Sequence, residues 1–223
     1  MVARKLKESI FRIILMTKAT WYFDFISPFA YLQFAQFDKL PANLEIRLVP
    51  VVFGALLKHW GQLGPAEIPP KRQFVYRFFK WQADNIGIPF KMPPSHPYNP
   101  LPSLRLCVAA GSKFSDVKKI FNIIYGNGIQ PDNEEGVSSI SETLGISPND
   151  LNENKSKEIL RKNTNEAISN GVFGVPTFVI KNELFWGGDS MKMMLDFLEN
   201  PDLFSSGEMR RISQMPMGFE RQK

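Results

Sequence analysis

The stretch TWYFDFISPFAYL, residues 20–32, decides the fold. Over residues 20–25 it alternates Trp21, Phe23 and Phe25 with Tyr22 and Asp24, the period-two pattern of a strand. Ser27-Pro28 ends that pattern. Serine is a favoured helix cap and proline a favoured first helical residue, so a helix opens into FAYLQFAQFDKL with Ser27 at its start. A second strand, NLEIRLVPVVF at residues 43–53, follows at the spacing of a right-handed parallel crossover.

Further along, the pattern turns helical. Residues 55–60 and 70–86 read as helices, the longer one carrying Phe74, Phe78 and Trp81 on one face. Residues 89–102, PFKMPPSHPYNPLP, hold too many prolines for a helix and must be extended and irregular. Helices are expected over 104–110, 116–125, 133–144 and 148–169. The last opens behind Ser147 with Asp150 three residues on, and stops at Asn170-Gly171. Strand character returns in TFVI and ELFW, residues 177–180 and 183–186, which pair as a hairpin through Lys181-Asn182. A closing helix spans 189–198, capped by Asp189 or Ser190. This order predicts an α/β, thioredoxin-like fold with an inserted all-helical domain. The expected boundaries are an N-terminal extension over 1–19, a thioredoxin-like domain from 20–54 and 165–204, a helical insert over 55–164, and a loose tail over 205–223.

Composition narrows the possibilities. The chain has 223 residues, 43% of them hydrophobic, with 19 Phe, 4 Trp and 5 Tyr, enough to bury a substantial core and to argue against wholesale disorder. A single cysteine, Cys107, excludes an internal disulfide framework and any dithiol couple within one chain. On its apolar helix face it reads as a small core residue. Two histidines, His59 and His96, leave little for a metal site; none is expected, and His96 is assigned no role. No apolar run approaches the roughly 18 residues of a membrane span. The net charge of +5 sits in the ends: Arg4, Lys5, Lys7, Arg12 and Lys18 outnumber Glu8 near the start, while residues 20–207 are nearly balanced. That distribution gives no nucleic-acid-binding face. The opening segment MVARKLKESIFRIILM is basic and amphipathic. It suits an organelle transit peptide or a surface-associating helix, and equally an extension outside the fold with the natural start at Met16. The extension is preferred, because the fold signals begin at Thr20.

Several separate blocks then carry a resemblance. FDFISPFAYL, FGALLKHWG with IPPKRQFVYR, HPYNPLPSLR, and GVFGVPTFVI with LFWGGDSMKMML, in that order, resemble the kappa-class glutathione transferases and the related 2-hydroxychromene-2-carboxylate isomerases of the DsbA-type thioredoxin group. They run from residue 21 to residue 198, most of the chain. Redox members carry Cys-x-x-Cys at the first helix start. Here the four residues are Ser27-Pro28-Phe29-Ala30, so disulfide exchange at this position is excluded. A hydroxyl beside unpaired N–H groups suits an anion, such as a thiolate brought by a ligand, and it also suits a plain helix cap.

The resemblance implies that the ligand is glutathione and that Ser27, as catalytic residue, hydrogen-bonds its sulfur. It implies a cis bond at Val175-Pro176, with the Val175 backbone pairing to the tripeptide as an added strand would. Asp189 would pair with the γ-glutamyl amine while Ser190 receives the neighbouring carboxylate. Lys71 resembles the lysine that takes the glycyl carboxylate, and Gln62 stands where the family often has asparagine. The second substrate would lie between the two domains, with Lys58 holding a carboxylate, Tyr98 stacking on an aromatic ring, and Asn99 nearby. The ordinary readings stay open beside these: a loop proline, an aspartate cap, a solvated lysine, a packing tyrosine. The activity implied is a glutathione-dependent cis-trans isomerisation of 2-hydroxychromene-2-carboxylate, or a related ring-cleavage product of aromatic catabolism, by reversible thiolate addition. A kappa-like transferase conjugating electrophiles, and a non-catalytic binder of peptides or thiols, are the alternatives. A cytoplasmic homodimer is expected.

Overall fold

The structure is a computed structural model that describes residues 16–147 and 154–219. The chain divides after Gly188 into two compact units. The first holds a four-stranded sheet of order β2-β1-β3-β4, made of β1 (Thr17–Phe23), β2 (Leu44–Pro50), β3 (Thr177–Ile180) and β4 (Glu183–Trp186). β1 runs parallel to β2, with Thr17 opposite Leu44 and Phe23 opposite Pro50. It runs antiparallel to β3, with Trp21 opposite Phe178. β3 and β4 pair antiparallel through Lys181 and Asn182, both at positive φ as a two-residue hairpin turn demands.

Seven α-helices accompany the sheet among the described residues of this unit: α1 (Pro28–Phe34), α2 (Phe53–Trp60), α3 (Pro69–Ile86), α4 (Leu101–Ala109), α5 (Phe114–Phe121), α6 (Glu134–Leu144) and α7 (Asn154–Ser169). Both faces of β1 are covered, which is why Trp21, Tyr22 and Phe23 are buried in succession rather than alternately. On one face the Trp21 ring stacks on Phe23 at 4.6 Å and meets Phe37 edge-on at 5.0 Å, with Phe34, Phe121 and Phe178 around them. Buried Gln33 satisfies both its polar ends there, accepting from Trp21 Nε1 at 2.6 Å and donating to the Gly187 carbonyl at 2.9 Å. On the other face Tyr22, Val49, Val51, Leu56, Ala167, Val172 and Val175 form a second cluster. A third, built from Leu32, Val75, Phe79 and Ala83, joins α1 to α3.

The strand–helix–strand crossover, the helical middle and the closing hairpin all stand as the sequence predicts. Several boundaries move, for physical reasons. β1 begins at Thr17, whose N–H bonds the Asn43 carbonyl at 2.9 Å, so the fold starts ahead of Thr20. It ends at Phe23 because Asp24 and Phe25 leave the ladder for side-chain partners described below. β2 ends at Pro50, and α2 starts at Phe53 rather than residue 55. Phe74, Phe78 and Trp81 do share a face of α3, but it is the exposed one; Val75, Phe79 and Ala83 form the buried face. The helix expected through residue 125 passes at Asn122 into a π-helical turn, Asn122–Gly126. The expected start of α7 at residue 148, with Asp150 in its first turn, lies outside the described residues, as does the segment 1–15. Gly171 closes α7 at φ 76°, a backbone setting that suits glycine.

The second unit contains α8 (Met191–Glu199) and α9 (Gly207–Ile212), with Phe197 and Phe204 stacked at 5.4 Å. The tail expected to be loose thus carries a short helix. No helix among the described residues is long and apolar enough to cross a membrane.

Candidate functional site

Ser27 caps α1. Its Oγ accepts from Ala30 N–H at 3.3 Å and donates to the Val175 carbonyl at 3.4 Å, across a separation of 148 residues. Both bonds are long, so the hydroxyl is loosely held and its proton can turn to a better acceptor. The Val175-Pro176 bond is cis, as expected. Around it, Thr177 Oγ1 donates to the Gly174 carbonyl at 2.7 Å and Gly187 N–H to the Pro176 carbonyl at 2.8 Å, which fixes the loop that faces Ser27. A Cβ on Gly174 would lie 2.7 Å from Trp186 Nε1, so a side chain there would have to displace the indole.

The turn between β1 and α1 is held from four directions. Asp24, with no exposure to solvent, accepts from Ile26 N–H at 3.0 Å and from Phe53 N–H at 2.8 Å. Burial pushes its pKa up to about 7, against the pull of those N–H groups. Ser27 N–H bonds the Asp24 carbonyl at 3.1 Å. The Phe25 carbonyl receives two hydroxyls, from Tyr98 at 2.6 Å and Tyr125 at 2.9 Å. The Ile26 carbonyl receives His96 Nε2 at 2.7 Å. The Phe25 and Ile26 carbonyls are therefore both gripped by side chains from distant parts of the chain.

This arrangement relocates several expected site residues. Tyr98 is only 6% exposed and its hydroxyl is committed to Phe25, so its ring is unavailable for stacking on a substrate and packs between elements instead. His96, left without a role by the sequence, sits against the Ile26–Ser27 peptide. Asn99 is exposed; its Oδ1 accepts from Leu101 N–H at 3.1 Å and its own N–H bonds Asp132 at 2.8 Å, so it helps start α4. Lys58 is exposed in the last turn of α2, about 8 Å along the axis from Phe53, the residue that Asp24 anchors. Gln62 follows the end of that helix, where its N–H bonds the Leu57 carbonyl at 2.9 Å and its side chain faces outward. Lys71 is exposed in the first turn of α3, about 8 Å along the axis from Tyr76. Asp189 and Ser190 open the second unit, with Ser190 the N-cap residue of α8. Cys107 is buried on α4, where loss of solvent pushes its thiol up to about 12.

Three aromatic residues escaped the sequence reading. Phe173 and Trp186 meet edge-on at 5.3 Å, both with exposed surface, and Trp60 Nε1 donates to the Val172 carbonyl at 3.0 Å. They flank the loop that carries Val175-Pro176. Among the described residues no three His, Cys, Asp or Glu side chains cluster as metal ligands would.

Known proteins place this arrangement in context. The DSBA-like thioredoxin domain matches residues 20–199. A 2-hydroxychromene-2-carboxylate isomerase of Pseudomonas putida is 32% identical over 188 residues, covering 78% of this chain and 90% of the relative. A glutathione S-transferase kappa 2 of Caenorhabditis elegans is 26% identical, covering 81% and 91%. Among solved structures, a 2-hydroxychromene-2-carboxylate isomerase superimposes with a TM-score of 0.70 at 27% identity, covering 83% of this chain and 98% of that one. The family match spans the Ser27 turn and the cis-proline loop alike, and the chain belongs to the DSBA-like thioredoxin domain family, in the group of 2-hydroxychromene-2-carboxylate isomerases and kappa glutathione transferases.

Proposed function

We propose that the protein is a glutathione-dependent isomerase of 2-hydroxychromene-2-carboxylate or a closely related aromatic ring-cleavage product. The observation that carries this reading is the Ser27 hydroxyl, held at 3.4 Å from the Val175 carbonyl by a bond weak enough to exchange. The residues present fit the tripeptide: a hydroxyl donor at the helix start, a fixed backbone loop opposite, and exposed Lys71 and Gln62 for its carboxylate end. Glutathione, when bound, supplies a thiol that adds reversibly to the conjugated double bond of the opened substrate and so lets it rotate.

The chain's own contribution is to place and stabilise charge. Ser27 turns its Oγ proton from the Val175 carbonyl toward the sulfur, and Ala30 N–H keeps the oxygen in place as it does so. The Val175 carbonyl has a second lone pair free in geometry for an N–H of the tripeptide. Lys58 takes the substrate carboxylate. Phe173 and Trp186, rather than Tyr98, offer ring faces beside the cis-proline loop. Conjugation of an electrophile by the same site is the second reading, favoured by the similarity to the kappa transferase of Caenorhabditis elegans.

Purified protein is assayed with the hydroxychromene carboxylate, with and without glutathione, and with chlorodinitrobenzene plus glutathione. The expected result is isomerisation that requires glutathione. Ser27→Ala lowers turnover about a hundredfold, the scale of one lost donor to a developing anion, while costing about 1 kcal/mol of stability as a lost cap. Equal isomerisation without glutathione, or an undiminished Ser27→Ala variant, overturns the reading.

A further inference from the structure

His96 lies in the proline-rich segment between α3 and α4, yet its ring is mostly enclosed and makes two polar contacts. Nε2 is 2.7 Å from the Ile26 carbonyl, which can only accept, so Nε2 carries a proton. Nδ1 is 2.7 Å from the Tyr76 hydroxyl, and that hydroxyl is also 2.7 Å from the His96 carbonyl. The Ile26 carbonyl shares its peptide plane with Ser27 N–H, which bonds the Asp24 carbonyl at 3.1 Å. The plane is thus pinned at both ends, by His96 on one side and by Asp24 on the other. Free rotation of that plane would swing Ser27 and its hydroxyl.

We propose that His96 is a positioning residue for Ser27: its ring, oriented by Tyr76, grips the Ile26–Ser27 peptide and thereby sets the aim of the Ser27 hydroxyl. The inference rests on the isomerase reading of the same site. It concerns turnover rather than ligand affinity, since neither ring nitrogen is offered to a ligand.

The grip responds to protonation. A neutral ring has two protons for three contacts, its own Nε2–H and the Tyr76 O–H. A charged ring has three, with Nδ1–H donating to Tyr76 and Tyr76 donating to the His96 carbonyl. Burial opposes the charge and lowers the pKa from its ordinary value, while the bond to the Ile26 carbonyl raises it in part. The groups around the ring are Tyr76 from α3, with Arg72 acting on Tyr76 from the preceding turn, and Tyr98, whose ring meets His96 at 5.6 Å. The Asp24 carboxyl lies behind Tyr98 and acts on it through space. The ring is therefore neutral at pH 7 and charges on the acid side, tightening its hold on the peptide as it does so.

The test uses the full-length protein and three variants. His96→Leu removes the donor, His96→Gln offers an amide N–H near the Nε2 position without titrating, and Tyr76→Phe removes the partner of Nδ1. Glutathione affinity is read by titration calorimetry, and kcat for the hydroxychromene carboxylate is followed against pH. In the expected result His96→Leu loses about tenfold in kcat, the scale of one hydrogen bond, with its glutathione Kd changed less than about twofold. His96→Gln recovers most of kcat but lacks the acid-side inflection of the wild type, and Tyr76→Phe moves that inflection to lower pH. A His96→Leu enzyme with wild-type kcat, or a His96→Gln enzyme as slow as it, overturns the inference. A wild type that binds no glutathione overturns the isomerase reading and this inference together, whereas an active wild type with indifferent variants removes only the inference. Nitrogen-15 spectra of the wild-type ring give a readout that does not depend on how the variants fold: the Nε2–H tautomer above neutral pH is expected, and the Nδ1–H tautomer overturns the assignment.

Discussion

Asp24 shows what a single side chain does when it is sealed beneath a site. Its carboxyl is bonded to the N–H groups of Ile26 and Phe53, yet burial outweighs them and lifts its pKa from the ordinary 3.8 to about 7. The folded state therefore binds this proton more tightly than the unfolded chain does. The group's contribution to stability is greatest at low pH, declines as pH rises from about 4 to about 7, and is flat above that. In Asp24→Asn the decline is absent, although one N–H then faces an amide that cannot accept from it. Urea denaturation should show the stability gap between wild type and Asp24→Asn shrinking by about 2 to 3 kcal/mol between about pH 5 and about pH 8. A constant gap rules out the raised pKa. Ser27 at the helix start was legible in the sequence because serine followed by proline is a local capping signal, whereas the cis bond at Val175-Pro176 was implied by the family resemblance. Asp24 and His96 were not. Their partners are backbone groups of Phe53 and Ile26, and no periodicity announces a side chain that bonds a carbonyl 70 residues away.

Helices and strands were legible to the extent that burial follows a period. The hairpin was read from Lys181-Asn182 because its turn has its own chemistry. The ends of β1 and β2 differ from the expected ones because tertiary hydrogen bonds, from Phe53 N–H to the Asp24 carboxyl and from Val52 N–H to Thr164 Oγ1 at 3.1 Å, draw the chain out of the ladder. In α3 the shared aromatic face expected from the spacing is the outward one: Phe74 is 66% exposed and Trp81 60%, while the less conspicuous Val75 and Ala83 face inward. α6 offers a test at this scale. Asn133 caps it through Gly136 N–H at 2.8 Å, and a Cβ on Gly136 would fall 1.9 Å from the Gln130 carbonyl oxygen. Helix propensity alone favours Gly136→Ala by about 1 kcal/mol. Overlap with backbone costs more, so the variant should be destabilised by about 2 kcal/mol net. A thermal melt that rises instead shows that the 130–136 turn yields. The same loop holds Ser95 N–H through Gln130 Oε1 at 2.9 Å, one residue before His96, so the variant should also slow turnover.

Across the first unit, one polar cluster ties strands made early to a helix made late. Tyr22 on β1 donates to Glu166 on α7 at 2.7 Å, Asn170 Nδ2 donates to Tyr22 at 2.8 Å, and Arg47 on β2 pairs with Glu166. Burial, with help from Glu166, pushes the Tyr22 hydroxyl up to about 12. For Glu166 burial raises the pKa, but the Arg47 guanidinium and the Tyr22 hydroxyl outweigh it and hold the carboxyl below its ordinary value. The pair is substantially exposed, so Glu166→Ala should cost only about 1 kcal/mol and leave kcat unchanged. A spectrophotometric titration should show one tyrosine ionising at lower pH than in the wild type, and an unaltered curve contradicts the assigned bond.

The position of β1 between β2 and β3 has a consequence for how the protein is made. Ser27 leaves the ribosome early, but the strand that brings Val175 to it is synthesised 148 residues later. A nascent chain can close its parallel pair and gather helices, yet it presents a lone hydroxyl with nothing opposite. On the proposed reading, the groove beside Ser27 is completed only once β3 has been made and paired.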